Sequence, residues 1–370
     1  MAPRKDEELN EEKRGHYDPY SHNAPYPYEE EKKKGGCCRC LFIIIVILVV
    51  LAGGAVGALI GIFGFEKVKS WVGLGSTEAD SSPTAAPTLT PVYEFNQCPT
   101  SGDCCNGLAS NCDLKVDEVL FATLHNAHVD ETDAFPNHES PLEEALVAGY
   151  RGVMLDACKC DGAVTLCHGD CGFGKRDLTE VFTNINTFLD ANKNDMLMIN
   201  FEISVGQPTP SEIWDVIGPI IQSKTYTYTG GNWPTLKQLQ TDDKQLIFFK
   251  HNGVTSSVNQ IREFHDFAAE TPYEFKSVEE VEDTNNSCVI DRGAQSAKDF
   301  YAINNFVANE LLGIPSKAGS EEVNEKNFLT QRLADCEAKT GLKTNFINID
   351  FWEYGDVIEV VQEENKARAN

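Results

Sequence analysis

The chain has 370 residues and a formal charge of −26, with 41% hydrophobic and 24% charged residues. That length and apolar content suit one large globular domain with additions. Such an excess of acid excludes a nucleic-acid binder and sets the protein against anionic membranes unless a cation intervenes.

Residues 1–40 carry eight Lys/Arg and nine Asp/Glu, so nearly all the excess acid lies further along the chain. This stretch is rich in Glu, Lys, Tyr and Pro and reads as a disordered cytosolic tail. It ends in Cys37, Cys38 and Cys40, a juxtamembrane pattern that suits reversible palmitoylation. The run LFIIIVILVVLAGGAVGALIGIFGF, Leu41 to Phe65, holds no charged residue and is expected to be a transmembrane helix, which needs roughly 20 apolar residues. Lys32, Lys33, Lys34 and Arg39 precede it, against Lys67 and Lys69 after it. The positive-inside rule then predicts a single-pass type II membrane protein whose C-terminal part is extracellular or lumenal. Residues 66–92 include STEADSSPTAAPTLTPV and read as an extended stalk; the globular domain is expected over 93–370.

Ten of the thirteen cysteines lie beyond the apolar run: Cys98, Cys104, Cys105, Cys112, Cys158, Cys160, Cys167, Cys171, Cys288 and Cys336. An even number, clustered at 98–112 and 158–171, reads as disulfides of an oxidising compartment. Zinc is the rival, but no Cys-x-x-Cys pair recurs at finger-like spacing. Asn285-Asn286-Ser287 is a glycosylation acceptor on the same side of the membrane.

Within the domain, strand-like runs alternate with helical patterns. Val119–Leu124 leads into His125; Leu142, Ala145 and Leu146 repeat with helical spacing up to Gly149; Gly152–Leu155 is a second strand before Asp156. Asp177 is placed as an N-cap for a helix with Leu178, Val181, Phe182, Ile185, Phe188 and Leu189 along one face. Further strands are expected at 196–201, 246–249, 301–303 and 346–349. Apolar strands separated by helices imply a parallel sheet covered on both faces. His125, Asp156, Glu202, Lys250 and Asp350 recur near strand ends, which favours an α/β fold of the (β/α)8 TIM-barrel type over an open sheet. No Gly-x-Gly-x-x-Gly or Walker loop is present, so nucleotide chemistry lacks its marks.

Several motifs now fall in order: His125-Asn126, Arg151-Gly152-Val153-Met154-Leu155-Asp156, Leu166-Cys167-His168-Gly169, Asn200-Phe201-Glu202, Asp291-Arg292-Gly293 and the closing Asn345–Phe351. Together they resemble the X domain of phosphatidylinositol-specific phospholipases C, in its plant- and fungal-type X-domain-only branch. The resemblance implies His125 as general base on the inositol 2-hydroxyl and His168 as general acid on the departing diacylglycerol oxygen. An imidazole suits both tasks because its pKa lies near neutrality.

The same resemblance implies a calcium site at Asn126, Asp156 and Glu202. Met154 stands where the calcium-dependent members carry a further Glu, and a thioether is no ligand for a hard cation. The metal-free members use an Arg two residues after the Asp; here that place is Cys158, with Lys159 next to it. The expectation is therefore a weakened Ca²⁺ site. Without an ion, Asp156 would orient a histidine and Lys159 or Lys250 would neutralise the phosphate. The activity implied is that of a phosphoric diester hydrolase acting on an inositol phospholipid or a GPI-type headgroup. The alternatives are a glycerophosphodiesterase or sphingomyelinase-D-like enzyme, whose Glu-x-Asp is broken by Met154-Leu155-Asp156, and an inactive surface binding protein on the same barrel.

Overall fold

The computed structural model describes residues 95–98, 103–203, 207–251, 256–293, 299–309 and 313–370. The expected tail, apolar span and stalk lie outside the described residues. No described helix is long and apolar enough to cross a membrane.

Eleven strands form one sheet among the described residues. In chain order they are β1 (Phe121–Leu124), β2 (Gly152–Cys160), β3 (Ala163–Cys167), β4 (Lys175–Asp177), β5 (Leu197–Ile203), β6 (Leu246–His251), β7 (Ile261–Glu263), β8 (Ala268–Glu270), β9 (Arg292–Gly293), β10 (Phe300–Asn304) and β11 (Phe346–Ile349). The sheet runs β7-β6-β5-β2-β1-β11-β10-β8-β9, and every pairing from β7 round to β8 is parallel. First and last parallel strands thus pair with each other, as in a barrel, but no ladder joins β7 to β8 among the described residues. The expected closed eightfold barrel is corrected to a curled sheet with one seam. A short 3-10 turn, Phe264–Asp266, joins those two strands in place of a crossover helix. Parallel neighbours need a connection of a dozen residues or more, so so short a link cannot bring β8 alongside β7.

Both faces of the curled sheet are buried. Phe121, Met198, Ile247, Phe249, Phe264, Phe300 and Phe346 fill the inside. Ala122, Leu124, Val153, Leu155, Ile199, Phe201 and Phe248 turn outward onto helices, including α1 (Leu142–Ala148), α2 (Leu178–Ala191) and α3 (Pro210–Ile221). This double burial is why the strands read as continuous apolar runs, although each alternates strictly between the two faces. Asp177 caps α2 by accepting the Glu180 amide, and Gly149 ends α1 at φ 117°, a conformation glycine adopts without strain.

The ten cysteines pair as Cys98–Cys104, Cys105–Cys112, Cys158–Cys167, Cys160–Cys171 and Cys288–Cys336. Two of these pin the antiparallel β2–β3 hairpin, and Cys288–Cys336 ties the segment before β9 to helix α8 (Lys326–Thr340), counting α4 (Leu236–Thr241), α5 (Val278–Glu282), α6 (Thr284–Ser287) and α7 (Lys317–Val323) before it.

Candidate active site

Strand β1 delivers His125. Its amide donates to Ile349 O of β11 at 2.9 Å, and Asn126 turns the chain away at φ 47°, a left-handed angle that Asn tolerates better than most residues. The His125 Nδ1 lies 3.0 Å from Asp350 Oδ1, and Asn137 Nδ2 donates to the same oxygen at 2.8 Å. A carboxylate can only accept, so Nδ1 carries the proton and Nε2 is left for chemistry. Nε2 lies 2.7 Å from the Tyr273 hydroxyl, whose single proton faces two acceptors, Nε2 and Glu202 Oε2 at 3.1 Å. Phe306 stacks on the imidazole at 4.0 Å and fixes its plane.

His168 follows Cys167 at the end of β3. Burial lowers its pKa, and His125 pushes it the same way, while Asp350, Asp133 and Glu202 oppose. Those four neighbours bring His168 within electrostatic reach of the His125 group, although the two histidines are 43 positions apart in sequence.

A sequence profile of the family described as PI-PLC X 1 matches residues 111–365. The chain belongs to that family. A curated relative from Arthroderma benhamiae, named PI-PLC X domain-containing protein 1, is 25% identical over 288 residues, covering 73% of this chain and 92% of that protein. A Staphylococcus aureus phosphatidylinositol-specific phospholipase C is similar in structure with a TM-score of 0.51 at 17% identity, covering 69% of this chain and 96% of that one. For the Listeria monocytogenes phosphatidylinositol-specific phospholipase C the figures are 0.47, 15%, 72% and 98%. At 17% identity the likeness to the Staphylococcus aureus structure concerns the fold alone.

Among the acids of this PI-PLC X chain, Asp156 and Glu202 are register partners on β2 and β5. Burial, then Glu202, raises the Asp156 pKa well above its ordinary value. Asp156 Oδ1 and Asn126 Oδ1 are both buried without a hydrogen-bond partner. Orphaned oxygens beside a crowded acid pair are the donor chemistry of a hard cation, so the residues fit calcium in kind. Met154 lies opposite Asn200, whose Oδ1 is likewise buried and unpartnered, so an amide oxygen stands near the place the thioether cannot serve.

Two expectations are corrected. Asp156 does not orient a histidine; Asp350 does. Lys159 and Lys250 take the outward phase of β2 and β6, because each is one step out of register with the inward residues. Lys159 pairs with Glu212 of α3 at 2.7 Å, and buried Lys250 pairs with Glu263 of β7. A cation that does approach the His125 group is Arg292, 4.4 Å above the ring of its partner Tyr273 and 2.6 Å from Glu270. Sequence reasoning noticed Arg292 only as part of a motif and missed Tyr273, Asn137 and Phe306. The Thr-Pro-Tyr after β8 was the available signal for Tyr273.

Proposed function

We propose that this chain is a phosphoric diester hydrolase/lyase that cleaves an inositol phospholipid or a GPI-like headgroup by histidine acid–base chemistry. The observation that carries it is His125, whose Nδ1 is engaged by Asp350 and whose Nε2 already meets a hydroxyl. A substrate hydroxyl takes the place of the Tyr273 hydroxyl at Nε2. His125 removes its proton as the oxygen bonds to phosphorus; Asp350 stabilises the imidazolium that forms. The bond from phosphorus to the lipid oxygen breaks, and His168 supplies the proton that oxygen needs. The products are a cyclic phosphate and a neutral lipid alcohol.

Arg292 supplies positive charge near the transferring group. Asn126, Asp156 and Glu202 would hold calcium, which when bound contributes charge stabilisation to the phosphate oxygens. The protein would act as a type II membrane protein, anchored through 41–65 with the catalytic domain outside or in the secretory lumen and a glycan on exposed Asn285.

The test is turnover by the purified full chain on phosphatidylinositol and GPI substrates, with calcium and with a chelator. Cleavage that disappears in both His125→Ala and His168→Ala is expected. No turnover by wild type on any of these substrates overturns the reading and leaves a binding protein.

A further inference from the structure

Beside the His125 group, the inside of the sheet holds a second cluster of a different character. His251 ends β6, His265 lies in the turn after β7 and Glu270 ends β8. One ligand atom of each lies within 4.8 Å of the others. Glu270 is wholly buried. Its Oε1 accepts from Arg292 Nη2 at 2.6 Å and from Asn304 Nδ2 at 3.0 Å, while Oε2 faces His265 Nε2 at 2.9 Å. His251 is 1% exposed; Asn200 Nδ2 meets its Nε2, and its Nδ1 has no hydrogen-bond partner. Phe264 stacks on the His251 ring at 4.6 Å.

A mutually hydrogen-bonded trio would be the plain explanation of such a group. It accounts for His265 and Glu270, but not for a buried imidazole nitrogen with nothing to bond, which is costly inside a protein. We propose that His251, His265 and Glu270 form a site for a first-row divalent transition metal of the zinc type. Two imidazoles and one carboxylate are a zinc donor set that leaves a fourth position open. They are a poor set for calcium, which takes about six to eight oxygens. Tetrahedral ligands at ~2.0–2.1 Å from zinc stand roughly 3.3 Å apart, so the donors, 2.9 Å apart between His265 and Glu270 and nowhere more than 4.8 Å, need to re-space by at most about 1.5 Å. Half-buried His265 can rotate to do so.

The surroundings fit a metal ligand set. The Glu270 oxygen that would not ligate is held by Arg292 and Asn304, as the outer partners of metal-bound carboxylates commonly are. Each nearby cation has its own carboxylate, Arg292 with Glu270 and Lys250 with Glu263, and the added charge would face Glu202, the register partner of His251. The site is distinct from the all-oxygen set of Asn126, Asp156 and Glu202, and its occupancy does not depend on turnover.

The experiment uses the full chain with Cys37, Cys38 and Cys40 replaced by serine, so that their thiols contribute nothing. After loading with Zn²⁺ and gel filtration, metal content and titration should give about one tightly held equivalent. Cobalt substituted for zinc should show the visible absorption of a four-coordinate site. His265→Ala, at a part-exposed side chain, and the isosteric Glu270→Gln should each weaken zinc binding at least tenfold while circular dichroism stays unchanged. No retained zinc in the parent chain overturns the site. So does retention unchanged in both variants, or calcium competing equally with zinc.

Discussion

Asp350 Oδ1 and His125 Nδ1 are 3.0 Å apart on adjoining strand ends, although 225 positions separate them in the chain. The pairing of β11 with β1 makes this contact, since Leu124 and Ile349 are register partners immediately before the two residues. Asp350→Asn keeps the shape but can donate to Nδ1, which moves the imidazole proton to Nε2 and blocks its use as a base. The expected result is a fall in kcat of about 10²–10⁴-fold with KM little changed. Asn137 remains as a second partner of the same residue. A kcat within threefold of wild type removes Asp350 from the mechanism.

In the proposed mechanism His168 sets the pH dependence. Burial, then His125, holds its pKa below the ordinary 6.5, and a general acid must be protonated to act. The active fraction of free enzyme therefore shrinks as pH rises, with a midpoint on the acid side of 6.5. The kcat/KM profile should show that falling limb, and His168→Ala should abolish it along with at least about 10²-fold of the rate. A falling limb centred above pH 7 in wild type contradicts the assignment.

His125, His168, Asp156 and Glu202 were legible in the sequence because short motifs mark them, and the parallel strands because both faces are buried. Lys159 and Lys250 were misplaced because a lysine near a strand end reads the same on either face; only the phase of alternation, seen against Leu155 and Phe248, sends them outward. Tyr273 and Phe306 reach His125 from loops after the sixth and seventh parallel strands, and no local pattern announces a contact across 148 positions. The open seam was invisible for a similar reason: it arises from the shortness of a single connection.

Asp156 should trade stability for function. Its folded pKa lies above the ordinary 3.8, chiefly through burial and then through Glu202. A carboxyl shifted upward contributes stability fully present below 3.8 and lost as pH rises through the folded value. Wherever it ionises in the folded protein, the group therefore opposes folding. In chelator at neutral pH, Asp156→Asn should melt a few degrees above wild type, and the gap should close below about pH 4. Calcium should raise the wild-type melting temperature more than that of the variant. A variant melting below wild type in chelator, across the whole pH range, refutes the strained acid pair.

The two disulfides around His168 make the last prediction. Cys158–Cys167 and Cys160–Cys171 span 9 and 11 positions, and His168 lies directly after one bonded cysteine and three before another. Such short loops confer only about 2–3 kcal/mol by chain entropy. Their effect on placement is larger, because a shift of about 1 Å in a catalytic group can cost about 10²-fold in rate. The paired change Cys160→Ala with Cys171→Ala should lower the melting temperature by several degrees and kcat by at least tenfold at a temperature where the protein stays folded. Cys288–Cys336 spans 48 positions away from the histidines, so Cys288→Ala with Cys336→Ala should reverse that balance: a larger loss of stability and a smaller loss of kcat. Equal loss of kcat from both pairs would mean that the hairpin disulfides act through global stability alone.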